Sequence, residues 1–167
     1  MLTWSISDAV FVTEIDDEHK EIFDALADFE KILAGDGRPA ELRKAVERLT
    51  TRMVDHFAHE ERLMRAARYE SLPWHKKLHM AARWRVEGLS TRMEQGDAEA
   101  GAELVEYLAS WLHTHTQVAD RMMGAALRNH RRCTWKVTFR AGTKPLEACD
   151  WVTVDGEPLR PPTESAS

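Results

Sequence analysis

Apolar positions recur along this chain in alternating steps of four and three residues over four long stretches. That is the period of helices that bury one face against their neighbours. The first stretch reads Ile15, His19, Ile22 with Phe23, Leu26, Phe29 and Leu33. It predicts a helix capped by Asp16, with Asp17 and Glu18 as its acidic first turn, closing near Gly35. After the loop from Gly35 to Pro39, whose proline suits a first helical turn, come Leu42, Val46, Leu49, Met53, His56, Glu60 and Leu63. The third stretch restarts with Ser71 as N-cap and Pro73 in the first turn, and carries His75, His79, Ala82, Val86, Leu89 and Met93. Gly96 and Asp97 close it and cap a fourth helix with the seam Leu104, Leu108, Trp111, His115, Val118 and Met122. Four such helices with short connections predict an all-α, antiparallel up-down-up-down four-helix bundle over residues 1–128.

The period changes to two beyond that point. Cys133, Trp135, Val137 and Phe139 alternate with polar residues, and a second alternating run spans Cys149 to Val154. These runs predict a short β-hairpin-like appendage over 133–154 within a C-terminal region 129–167, whose last residues, 160–167, have the composition of a disordered tail. An isolated hairpin is marginal in water. Its aromatic residues are therefore expected to pack on the bundle, on a second copy or on a protein partner.

Composition narrows the function classes. The 167 residues carry a net charge of −5 made of interspersed signs, which argues against a nucleic-acid footprint. The N-terminal residues have neither a basic region nor an apolar run, and no stretch approaches membrane-spanning length, so a cytoplasmic location and no membrane partner are expected. Cys133 and Cys149 lie apart from the histidines, so neither a Cys-ligated zinc site nor a disulfide framework is indicated. Metal chemistry here would rest on nitrogen and oxygen donors.

Those donors sit on the seams. His19, His56 with Glu60, His75 with His79, and His115 fall on the inward faces of four different helices. One histidine on an apolar face is usually a satisfied core residue, but five among Leu, Ile, Val, Phe and Met have too few hydrogen-bond partners to be satisfied by protein alone. The one-turn spacing of His75 and His79 lets both reach one ion, and His56 with Glu60 repeats it. Asp120 is the exception. Five residues beyond His115, a regular helix has rotated about 140° past alignment, and only a local widening such as a π-bulge brings the two together. His59, His113 and His130 lie off the seams and are assigned to the surface or to positions just behind the donors.

Taken together, His19 in Ile-Asp-Asp-Glu-His-Lys, His56-Phe-Ala-His-Glu60, His75-Lys-Lys-Leu-His79 and Trp111-Leu-His-Thr-His115 through Asp120 resemble the hemerythrin family, most closely its single-domain bacterial members. The likeness covers roughly residues 1–128 and includes an N-terminal segment with Trp4. It implies two iron ions, Fe2+/Fe3+, with His75, His79 and His115 on one, His19 and His56 on the other, and Glu60, Asp120 and a bridging oxo or hydroxo oxygen shared. Five imidazole bonds, four carboxylate bonds and two oxygen bonds fill eleven of the twelve positions of two octahedral ions, so one position is left for an exogenous ligand beside His19 and His56. The resemblance thus implies a reversible dioxygen-binding protein for storage, delivery or buffering, with no catalytic residue. Phe23, Met53, Phe57 and Trp111 are expected to wall a dry pocket. Two other functions fit the same residues. One is an oxygen- or redox-sensing module acting through residues 129–167, and the other is a peroxidase- or ferroxidase-type enzyme that would need His59 or His113 turned inward as a proton donor.

Overall fold

A computed structural model of the protein describes residues 3–35 and 37–130. The hairpin expected over 133–154, the tail, and both cysteines lie outside the described residues. Among those that are described, all regular structure is helical. A 3₁₀ turn, Ile6–Asp8, precedes α1 (Thr13–Ala34), α2 (Pro39–Ala66), α3 (Leu72–Glu94) and α4 (Ala100–His115). A π turn, Thr116–Asp120, follows α4, and residues 121–130 are helical again. The described residues up to Leu127 form one compact unit; of the second, Arg128–Ser167, only residues 128–130 are described.

Each helix packs on two neighbours in a closed ring, α1 on α2, α2 on α3, α3 on α4 and α4 on α1. Its direction follows from what each helix buries. Along α1 the order is Ile15, His19, then Ile22 through Phe29; along α2 it is Leu49 and Phe57, then Glu60, then Met64. Two apolar clusters are thereby separated by a polar layer, and successive helices cross them in opposite order. That alternation is the signature of an up-down-up-down bundle. The larger cluster joins Phe23, Leu26, Leu49, Val86, Leu89, Leu104 and Leu108, and the smaller joins Val10, Val12, Ile15, Met64, Met123 and Leu127. Full burial of each large side chain contributes roughly 1.5–3 kcal/mol, which lets the bundle carry the costly polar layer between them.

Three boundaries differ from the sequence expectation. Helix α1 begins at Thr13, ahead of Asp16, because the buried Asp16 carboxylate accepts a hydrogen bond from the Val10 amide and ties down the incoming chain instead of capping its own helix. The connection from α3 to α4 is made by Gly96 in the left-handed region, φ 87°, where a side chain would be strained. Asp97 accepts from the amide of Glu99, the residue two positions later that caps α4, so it organises the turn and is not itself the cap. Finally, the α4 seam breaks after His115. Val118 and Met122 are half exposed, while Ala119, Asp120 and Met123 are buried. The π turn inserts one residue per turn and shifts every later side chain by one position.

Candidate metal centre

The polar layer contains His19 from α1, His56 and Glu60 from α2, His75 and His79 from α3, His115 from α4 and Asp120 from the π turn, all buried. Alternating four-three steps aim the first six inward. Asp120 arrives by the widening of the helix, the distortion its five-residue distance from His115 demanded.

The two carboxylates divide the imidazoles between them. Glu60 Oε1 lies 3.6 Å from His56 Nε2, while Oε2 lies 3.4 Å from His75 Nε2 and 3.1 Å from His79 Nε2. Asp120 repeats the split, with Oδ2 3.3 Å from His19 Nε2 and Oδ1 3.1 Å from His75 Nε2 and 3.0 Å from His115 Nε2. Each carboxylate therefore turns one oxygen to two imidazoles and the other to one, and together the two divide the five rings into His75, His79 and His115 on one side and His19 and His56 on the other. The same grouping emerges from donor proximity alone, as Glu60, His75, His79, His115 and Asp120 on one side and His19, His56, Glu60 and Asp120 on the other.

These atoms are close without being satisfied. Both oxygens of Glu60 and of Asp120, both ring nitrogens of His19 and Nε2 of His115 are buried with no hydrogen-bond partner among the described residues. A core that orphans so many polar atoms costs several kcal/mol unless a cation collects them. Two donors about 2.1 Å from one ion and at right angles stand about 3.0 Å apart, which matches the 3.0–3.4 Å separations on the three-imidazole side. His75 Nε2 and His79 Nε2 are likewise 3.1 Å apart. The residues fit a pair of ions that accept nitrogen and oxygen.

Electrostatics shows the strain of the bare cluster. Burial and the neighbouring Asp120 push the Glu60 carboxyl up, yet His56, His75 and His79 outweigh them and hold it down at about 2. Asp120 is also held down, by His115, His19 and His75 against its burial. Burial pushes the His75 pKa down, but Asp120 and Glu60 raise it to about 9, whereas burial lowers that of His79. A proton on His75 is the protein's own partial substitute for the cation charge.

Behind the donors stand residues that the seams did not reveal. Glu18 accepts from His56 Nδ1 at 2.8 Å and from His59 Nδ1 at 2.6 Å, which leaves His56 Nε2 free to face the centre. Asp8, fully buried, engages His113 Nδ1 at 2.7 Å. His59 thus sits behind His56 through their shared Glu18, while His113, partly exposed, pairs with Asp8, in keeping with their off-seam positions. Glu18 was readable only as a first-turn acid. The available signal was that a ligating imidazole needs its second nitrogen held, and an acid beside a seam histidine is a candidate for that role. Phe57 stacks on His79 with ring centroids 4.0 Å apart, and Trp111 stacks on His115 at 4.2 Å.

A four-helix bundle that pools five imidazoles and two carboxylates around a place for two cations defines a class of histidine–carboxylate metal proteins. Within that class the match is specific: the Hemerythrin HHE cation binding domain family covers residues 10–127, and the chain belongs to the hemerythrin family. Its relatives include Myohemerythrin-1 of Phascolopsis gouldii, 30% identical over 117 residues that cover 70% of this chain and 87% of that protein. Bacteriohemerythrin of Methylococcus capsulatus is 28% identical over 130 residues, 76% of this chain and 97% of its own. Bacteriohemerythrin of Pseudomonas aeruginosa is 30% identical over 128 residues, 77% and 82% of the two chains. No helix among the described residues is long and apolar enough to cross a membrane.

Proposed function

We propose that this protein binds dioxygen reversibly at a di-iron centre held by His75, His79 and His115 on one side, His19 and His56 on the other, and Glu60 and Asp120 across both. The observation that carries this reading is that Glu60 and Asp120 each turn one oxygen toward the set of three imidazoles and the other toward the set of two. An unequal donor set around two like ions leaves its vacancy on the poorer side, beside His19 and His56. A pair of irons held by these seven residues would supply, one electron from each, the electron pair that reversible dioxygen binding needs and would take it back on release.

The chain's own residues keep that exchange reversible by excluding water and protons. Phe23, Met53 and Phe57 are buried within a turn of His19 or His56, and Trp111 packs edge-on against Phe57 at 5.6 Å. A ligand beside His19 and His56 therefore meets hydrocarbon and aromatic surface. Proton donors that an oxygen-cleaving enzyme would use are directed elsewhere: His59 Nδ1 is engaged by Glu18, and His113 Nδ1 by Asp8. This favours binding over peroxidase or ferroxidase chemistry.

The test is to load metal-free protein anaerobically with ferrous iron, admit air, then purge with argon while following the visible spectrum. Colour that appears and fades through repeated cycles supports a carrier. Irreversible oxidation in the first cycle, or sustained consumption of peroxide, overturns it.

A further inference from the structure

The shifted seam of α4 poses a question that the metal centre does not answer. A regular helix through residues 116–122 would turn Val118 and Met122 inward, continuing the four-three pattern, and would bury two large apolar side chains that are now 52% and 51% exposed. The π turn gives up that burial and its regular i to i−4 hydrogen bonds to bring Ala119, Asp120 and Met123 inside. Two registers compete within one sequence. Something must select the one that delivers Asp120.

The contacts of the N-terminal segment supply a selector. Asp8 Oδ1 accepts from His113 Nδ1 at 2.7 Å, before the π turn, and from Gln117 Nε2 at 3.1 Å, within it. Arg121, the first residue after the turn, donates through Nη2 to the carbonyls of Ser7 at 2.6 Å and Ala9 at 3.3 Å. The other Asp8 oxygen, Oδ2, is held at 2.9 Å by both the amide and the hydroxyl of Ser5, so the carboxylate cannot swing away. Val10 and Val12, next in the chain, pack in one cluster with Met123, which faces inward only in the shifted register. The segment therefore grips the helix before, within and after the distortion, by both hydrogen bonds and packing.

We propose that residues 5–12 act as a clamp that selects the π register of α4, with the buried Asp8 as the positioning residue that sets the Asp120 carboxylate in the metal centre. The clamp rests on the reading of Asp120 as a shared ligand, but it makes a separate claim about the metal-free chain. Asp8 touches neither metal nor ligand; it acts through Gln117, His113 and the turn they flank.

Methionine oxidation separates the two registers. In the full-length metal-free protein treated with limiting hydrogen peroxide, peptide mass spectrometry should find Met122 oxidised first and Met123 protected, and Asp8→Ala should reverse that order as Met122 turns inward. The same variant should weaken binding of the second ferrous ion by roughly 10–100-fold in anaerobic titration. Gln117→Ala, which leaves the Ser5–Asp8 contacts in place, should shift both readouts in the same direction to a smaller extent. An unchanged oxidation order in both variants overturns the clamp, and so does equal oxidation of both methionines, which marks general loosening. If the parent protein binds no second ion while the oxidation order still reverses in Asp8→Ala, the di-iron reading fails and the clamp stands.

Discussion

The two sides of the candidate metal centre are held in different ways. On the three-imidazole side flat rings dominate: Phe57 lies on His79 and Trp111 on His115, the Glu61 carboxylate stands 3.7 Å from His79 Nδ1, beyond hydrogen-bond distance, and Nδ1 of His75 has no hydrogen-bond partner among the described residues. On the two-imidazole side the holding is ionic, through Glu18, which grips His56 and His59 across 38 and 41 residues of sequence. Stacking fixes a ring plane and keeps water away but adds little charge to a donor. A carboxylate on Nδ1 fixes the tautomer and makes the imidazole a stronger ligand. On the side with fewer imidazoles, where an exogenous ligand is proposed to bind, one donor, His56, thus has a carboxylate within hydrogen-bond distance of its second nitrogen.

Removing shared donors should break that distinction most severely. Glu60→Ala strips an oxygen from both sides, and metal analysis of the variant should find both ions lost; His56→Ala should leave one ion per chain, held by His75, His79 and His115. Retention of two ions by either variant would contradict the division of donors. Glu18→Ala should weaken only the ion beside His56, by about 10–100-fold, leaving the first equivalent in a ferrous titration unchanged. An equal loss in both equivalents would make Glu18 a general structural residue.

Phe57→Leu sharpens the comparison from the other side. Losing the stacked pair should cost about 1 kcal/mol of stability in denaturant unfolding, with both ions retained. A pH dependence tests the charge inside the donor layer itself. His75 has its pKa raised from 6.5 to about 9 by Asp120 and Glu60, so in metal-free protein the stability it contributes is complete below about 6.5 and is lost as pH rises through about 9. The midpoint of thermal unfolding of metal-free protein should fall across that window, while metal-loaded protein, whose His75 nitrogen is occupied, should not follow it. A flat metal-free profile would remove His75 from the account.

How far the sequence could be read differs along the chain for a definite reason. On α1, α2 and α3 the helical period alone identifies the buried face, and the residues on it (Phe23, Leu26, Met53, Val86 and Leu89 with His19, His56, Glu60, His75 and His79) are the ones the structure buries. Helix α4 follows the same rule up to His115 except at one position, where Leu112 is fully buried and the expected Trp111 only partly so. Beyond it the period misleads, because Val118 and Met122 fit the regular seam better than Ala119 and Met123 do, and Asp120 fits none. Resemblance to the hemerythrin family pointed to Asp120; geometry read from spacing did not. Likewise Asp16 has the composition of an N-cap, yet its carboxylate is captured by Val10, six residues earlier.

What the sequence determined by itself was the choice of elements and the inward face of three helices and part of the fourth, because apolar period and one-turn spacing are local properties of a chain. Only the tertiary structure decided which oxygen faces which imidazole, that Glu18 serves His56, and that Asp8 meets His113 across 105 residues. It alone decided the register of the last helix as well. There two local arrangements compete, and contacts from a distant segment, which no local period encodes, favour the less regular one.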